Sequence, residues 1–96
     1  MKKRKLGNTD IHLSTIGFGG APIGNLFEKL DEATCYKTLE RCNHSNINLY
    51  DTSPYYGNGL SEHRLGNFLK TLDTDSYYLS TKVGRYLTPE KEENIN

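Results

Sequence analysis

The sequence predicts an α/β fold built on a parallel sheet. Two helical stripes each lie between strand-like runs, a glycine-rich loop closes the first run, and a hairpin signal precedes them all. Helices that alternate with strands imply right-handed crossovers and parallel neighbours.

Residues 5–17 carry Leu6, Ile11, Leu13 and Ile16 around Gly7-Asn8-Thr9-Asp10, which reads as a small hairpin leading into a strand. Residues 16–24 end that strand in the run Ile-Gly-Phe-Gly-Gly-Ala-Pro-Ile-Gly. Asp31 can cap a helix over 32–43, with Cys35, Leu39 and Cys42 at i, i+4 and i+7 on one stripe. Asn46 supplies a left-handed residue to end it. Ile47–Asp51 is strand-like, and Ser53-Pro54-Tyr55-Tyr56-Gly57-Asn58-Gly59 is a turn-rich loop. A second helix over 61–72 gathers Leu65, Phe68, Leu69 and Leu72, with Glu62 in the first turn, where the helix dipole favours an acid. Tyr77–Val83 reads as a third strand, and the Glu-rich stretch 88–96 as a frayed polar tail.

The 96 residues suit one small domain or part of a larger one. Leu, Ile, Val and Phe make 21 of them, just above the roughly 20% at which disorder becomes the default, so the core is small. Twelve basic and twelve acidic side chains cancel, which argues against nucleic acid as a partner. The run Lys2-Lys3-Arg4-Lys5 reads as a solvated flank. No run of 18 apolar residues is present, and no apolar segment follows the basic start, so neither a membrane span nor a secretory signal is expected. Cys35 and Cys42 fit neither a CxxC pair nor a disulfide framework, and a cytoplasmic setting follows. No metal site is expected.

In parallel α/β sheets the chemistry sits beyond the carboxyl ends of the strands. The glycine loop, Asp51 with Tyr56, and Lys82 all fall there. Alone, an aspartate at a strand end is ordinarily a loop hydrogen-bonder, a loop tyrosine is packing, and a lysine after a strand is solvated. Together they have a chemical logic. A phenol titrates near 10, too high for efficient proton transfer at neutral pH. A neighbouring ammonium favours the phenolate, and a carboxylate keeps that ammonium charged. Such a group can pass a proton to a carbonyl oxygen, or take one from a hydroxyl, while a cofactor carries hydride.

The motifs Leu6-Gly7-Asn8-Thr9, Ile16-Gly17-Phe18-Gly19, Leu49-Tyr50-Asp51-Thr52-Ser53-Pro54-Tyr55-Tyr56-Gly57, Leu60-Ser61-Glu62-His63-Arg64-Leu65-Gly66 and Leu79-Ser80-Thr81-Lys82-Val83-Gly84 resemble the aldo-keto reductases over about residues 3–87. The resemblance implies the N-terminal part of a (β/α)8 barrel that binds NADP or NAD without a Rossmann fold. It implies Tyr56, Lys82 and Asp51 as catalytic residues, with Tyr55 the adjacent alternative to Tyr56. It implies Gly19, Gly20 and Ala21, with Asp51, near the nicotinamide. Gly17-Phe18-Gly19 is itself no dinucleotide fingerprint, because Pro22 stands where the third glycine belongs. Gly19–Phe27 and Ser80–Arg85 resemble the aldose 1-dehydrogenase and pyridoxal dehydrogenase branch, which implies a small sugar hemiacetal or carbonyl substrate.

The chain departs from that pattern in length. A complete barrel takes roughly 250 residues, so the hairpin and about three strands are expected here, with open edges and uncovered faces. His12, His44 and His63 do not match the family's further catalytic histidine. Activity is therefore expected of a full-length chain and not of residues 1–96 alone. Two other readings compete: an inactive truncated remnant, and a small flavodoxin-like module holding a phosphate or nucleotide in the glycine loop. Substrate identity and oligomeric state are not readable.

Overall fold

The computed structural model describes residues 1–84. The tail expected at 88–96 lies outside the described residues. The chain opens with an antiparallel hairpin, β1 (Lys3–Lys5) and β2 (His12–Ser14). Then follow β3 (Phe18–Gly19), α1 (Glu32–His44), β4 (Leu49–Asp51), α2 (Leu60–Leu69) and β5 (Tyr78–Ser80). Short 3-10 turns at Pro22–Gly24 and Thr74–Ser76 complete the order.

The basic run is more than a flank, because Lys3–Lys5 pair with His12–Ser14 as a strand. All three residues are exposed, so charge does not conflict with pairing. Asn48 latches this hairpin to the sheet. Its Oδ1 accepts from the Ser14 amide at 2.7 Å, its Nδ2 donates to the His12 carbonyl at 2.9 Å, and its amide donates to Ser14 Oγ at 3.1 Å. The hairpin therefore sits at the amino end of β4, away from the rim where the chemistry was expected.

The second sheet is parallel, in the order β3-β4-β5. Phe18, Tyr50 and Leu79 are register partners, as are Gly19, Asp51 and Ser80. Register partners share a face, and successive residues alternate faces. Phe18 and Tyr50 face the helices, with ring centroids 6.0 Å apart. Tyr50 is fully buried among Ile23, Cys35, Leu39, Leu65, Phe68 and Leu69, the core of the molecule. Burial pushes its phenol up to about 12, and its hydroxyl donates to the Ile47 carbonyl at 3.2 Å. This tyrosine is structural.

Asp31 caps α1 as its sequence position predicts, its carboxylate accepting from the Thr34 amide at 2.7 Å. Asn46 follows the helix at φ +64°, the left-handed residue expected there. Helix α2 stops at Leu69, three residues short of expectation. Thr71 is the reason: its amide and its hydroxyl both bond the Phe68 carbonyl, at 3.0 and 2.7 Å, tightening the last turn. Strand β5 is also shorter than the 77–83 expected, because β4 leaves the ladder after Asp51. The last rung is the Thr52 amide on the Ser80 carbonyl at 2.8 Å.

Candidate active site

Three chain segments leave the carboxyl ends of β3, β4 and β5 side by side. Asp51 is the last residue of β4, between Gly19 of β3 and Ser80 of β5. Two residues past Ser80, Lys82 turns back across β4. Its Nζ donates to Asp51 Oδ2 at 3.0 Å and to the Thr52 carbonyl at 3.0 Å. The same Nζ lies 5.0 Å from the centroid of the Tyr56 ring. The three residues singled out for catalysis in the sequence thus meet at one rim.

The electrostatics follow from these contacts. The hydrogen bond to Asp51 holds the Lys82 ammonium above the ordinary lysine value, Tyr56 adds to it, and desolvation opposes it. Lys82 is therefore charged at neutral pH. The ion pair is open to water, with 49% and 40% of the Lys82 and Asp51 side chains exposed. A cleft of about 220 Å³ lies alongside, lined by Ser53, Pro54, Tyr55, Lys82 and Val83.

The glycine loop divides its work. A Cβ on Gly19 would meet nothing within 4 Å, so the tip of β3 is open beside Asp51. A Cβ on Gly20 would come 2.7 Å from Ser61 Oγ and 2.8 Å from the Asp51 carbonyl. The bare backbone at Gly20 serves packing inside the chain: its amide donates to the Asp51 carbonyl at 2.7 Å, and its carbonyl accepts from Ser61 Oγ at 2.7 Å. Ala21 caps the 3-10 turn that follows.

Several supporting residues escaped the sequence reading. Ser61 is fully buried. Its hydroxyl also bonds Thr52 Oγ1 at 2.7 Å, and its amide donates to the Tyr56 carbonyl at 3.1 Å. One serine thus ties the glycine loop, the strand end that holds Lys82, and the backbone of Tyr56. Glu62 Oε2 accepts from Thr81 Oγ1 at 2.9 Å, next to Lys82. Arg64 is buried, at 8% exposure. Residues 61, 64, 65, 68 and 69 all lie on the buried stripe of α2, so the helical spacing that gathered Leu65, Phe68 and Leu69 was the signal that could have found this serine and arginine. His63 is on the exposed face, 3.2 Å from Asn67 Nδ2. Cys35 and Cys42 are free, and burial raises both thiols. Among the described residues no group of His, Cys, Asp and Glu could hold a metal ion, and no helix is long and apolar enough to cross a membrane.

The sequence profile of the Aldo/keto reductase family matches residues 15–96. The chain belongs to this family. It is 45% identical over 80 residues to D-threo-aldose 1-dehydrogenase of a Pseudomonas species, covering 83% of this chain and 24% of that protein. It is 44% identical over 85 residues to L-galactose dehydrogenase of Arabidopsis thaliana, covering 86% of this chain and 27% of the relative. Among solved structures, the holo form of an aldo-keto reductase from Bacillus halodurans superposes with a TM-score of 0.81 at 35% identity, over 96% of this chain and 29% of that one. The chain thus spans about a quarter of the length of the relatives it matches. For an aldo-keto reductase, the described elements are an opening hairpin and the first strands and helices of a (β/α)8 barrel, and the rim bearing Asp51, Tyr56 and Lys82 is the end where such barrels carry their chemistry.

Proposed function

We propose that this chain supplies the proton-transfer group of an NAD(P)-dependent oxidoreductase that interconverts a small sugar hemiacetal, or a simple hydroxyl compound, with its carbonyl product. The observation that carries the reading is Lys82 Nζ, held between Asp51 Oδ2 at 3.0 Å and the Tyr56 ring at 5.0 Å.

In this reading Tyr56 takes the proton from the substrate hydroxyl during oxidation and returns it to the carbonyl oxygen during reduction. Lys82 stays charged and places a cation beside the ring while the proton moves. Asp51 keeps Lys82 charged and fixes its direction, because an ammonium on a flexible stem needs an anchor. The residues present fit a nicotinamide in one respect that can be checked: Gly19 leaves open space at the strand tip beside Asp51, where a flat ring can approach the backbone. When bound, a nicotinamide supplies or accepts the hydride at the substrate carbon. Gly19, Gly20 and Ala21, with Asp51, would border it.

The relatives named for aldose and galactose oxidation support a sugar as substrate, whereas a relative named NADH-specific methylglyoxal reductase, 40% identical over 89 residues, supports the carbonyl direction. Activity belongs to a full-length barrel, because the sheet described here has unpaired outer edges at β3 and β5 and leaves Leu79 half exposed. A cytoplasmic setting is part of the same proposal, and the free cysteines suit it.

The test is aldose-dependent reduction of NAD+ or NADP+ by the full-length protein and by its Tyr56→Phe variant. Turnover that disappears in the variant supports the reading, and turnover that survives intact overturns it. Residues 1–96 alone are expected to give none.

A further inference from the structure

We infer that Arg64 is a positioning residue for Tyr56, acting through the turn at Ile23–Asn25. The inference rests on the proton-transfer reading above. Arg64 projects from the buried face of α2, where an apolar side chain would avoid the cost of desolvating a guanidinium. The charge is retained with every nitrogen engaged. Nε donates to Glu32 Oε1 at 2.7 Å, and one terminal nitrogen donates to the Leu30 carbonyl at 2.9 Å. The other reaches the Ile23 carbonyl and Asn25 Oδ1, both at 3.0 Å, and Cys35 Sγ at 3.4 Å. Asn25 Oδ1 also accepts from the Leu30 amide at 3.0 Å. These bonds fasten both sides of Gly24 and tie that turn to Leu30 and Glu32, where α1 begins.

Gly24 is where that segment meets the site. A Cβ on Gly24 would come 2.5 Å from the Tyr56 carbonyl oxygen, and a Cβ on Gly57 would collide with the Gly24 carbonyl. The two backbones are therefore in direct contact, and Gly57 adopts φ +72° to allow it. From the other side, the Ser61 amide holds the Tyr56 carbonyl at 3.1 Å. Tyr56 is wedged between α2 and a turn that the Arg64 guanidinium ties to α2 through the Ile23 carbonyl and Asn25 Oδ1. Releasing the guanidinium frees the turn to move, and the phenol moves with it.

The experiment is a double-mutant cycle in the full-length oxidoreductase, with amide exchange as a second readout. Arg64→Met is expected to lower kcat by roughly 10- to 100-fold, the scale of a misplacement near 1 Å, and to leave the KM for nicotinamide unchanged. In a Tyr56→Phe background the same substitution is expected to have no further effect, since nothing remains to be positioned. Amide exchange at Tyr56 and Gly57 is expected to quicken. An equal loss in both backgrounds, an unchanged kcat with a lower Tm, or unchanged exchange at Tyr56 and Gly57 would overturn the inference. If Arg64→Met does not fold, Arg64→Lys, which keeps the charge but loses the fork, takes its place in the same cycle. Full turnover in Tyr56→Phe alone would strike the proton-transfer reading, and the exchange measurement would still judge Arg64.

Discussion

Asp51 and Lys82 meet at 3.0 Å although 31 residues separate them in the chain. The parallel register of β4 and β5 makes the meeting possible. Asp51 stands opposite Ser80, so a lysine two residues further on can fold back over the end of β4. Without that register the lysine would be an ordinary solvated cation.

Neutralising the aspartate checks this pair directly. Asp51 is the first cause of the raised Lys82 value. In Asp51→Asn the titration of Lys82 is expected to fall toward the ordinary lysine value, about 10.4. Because the folded value is raised, the stabilisation is present at neutral pH and is lost as pH rises through the folded value. The wild type should therefore lose stability in alkali over a range where Asp51→Asn does not. NMR of isotopically methylated lysine follows the ammonium itself. An unchanged Lys82 titration would show that Asp51 is not its partner in solution.

Tyr56→Phe is expected to lower turnover by about 10²–10⁴-fold, the usual contribution of a positioned acid or base. Nicotinamide affinity should stay the same, since the phenol oxygen is asked to move a proton and not to hold the cofactor. Steady-state kinetics and fluorescence titration of the cofactor separate the two effects. Loss in Tyr55→Phe with none in Tyr56→Phe would move the proton-transfer role by one residue.

The two neighbouring glycines should respond differently to alanine. Gly20→Ala drives a Cβ into Ser61 Oγ and the Asp51 carbonyl, backbone and buried side chain that cannot easily give way. A destabilisation of about 1–3 kcal/mol is expected, as for other overpacked sites. Gly19→Ala points into open space, so the melting temperature should hold while nicotinamide binding weakens. Calorimetry with cofactor titration on both variants checks the division. Equal effects on stability would mean that Gly19 is also packed against something.

Much of this was legible in the sequence. The stripe Cys35-Leu39-Cys42 and the cap at Asp31 located α1 because helix period and capping are local properties. The Asp51, Tyr56 and Lys82 cluster was legible because alternating elements force strand ends to one rim. The ends of α2 and β5 were not, since they depend on which partner a carbonyl finds: Thr71 claims Phe68, and β4 departs after Asp51. The supporting side chains were harder still. Arg64 occupies a helical position whose spacing says buried and whose chemistry says solvent. What resolves the conflict is a set of carbonyls from residues 23–30 that no periodicity reveals.

The cap of α1 offers a check on the scaffold that is independent of the chemistry. The Asp31 carboxylate is held below the ordinary carboxylate value, first by the Thr34 amide and then by the Thr34 side chain, with Lys37 and Arg64 helping electrostatically. A lowered value means that the stabilisation is present above the unfolded carboxylate value, near 3.9, and is lost as pH falls through the folded one. Asp31→Ala should therefore lower the melting temperature at neutral pH, and the gap between variant and wild type should close in acid. Asp31→Ser keeps a capping oxygen without the charge, so it should recover part of the neutral stability and show none of the acid dependence. Melting curves of the three proteins from neutral pH down to about pH 3, below the unfolded carboxylate value, decide the matter. A gap of constant size across that range would mean that the carboxylate charge contributes nothing to α1.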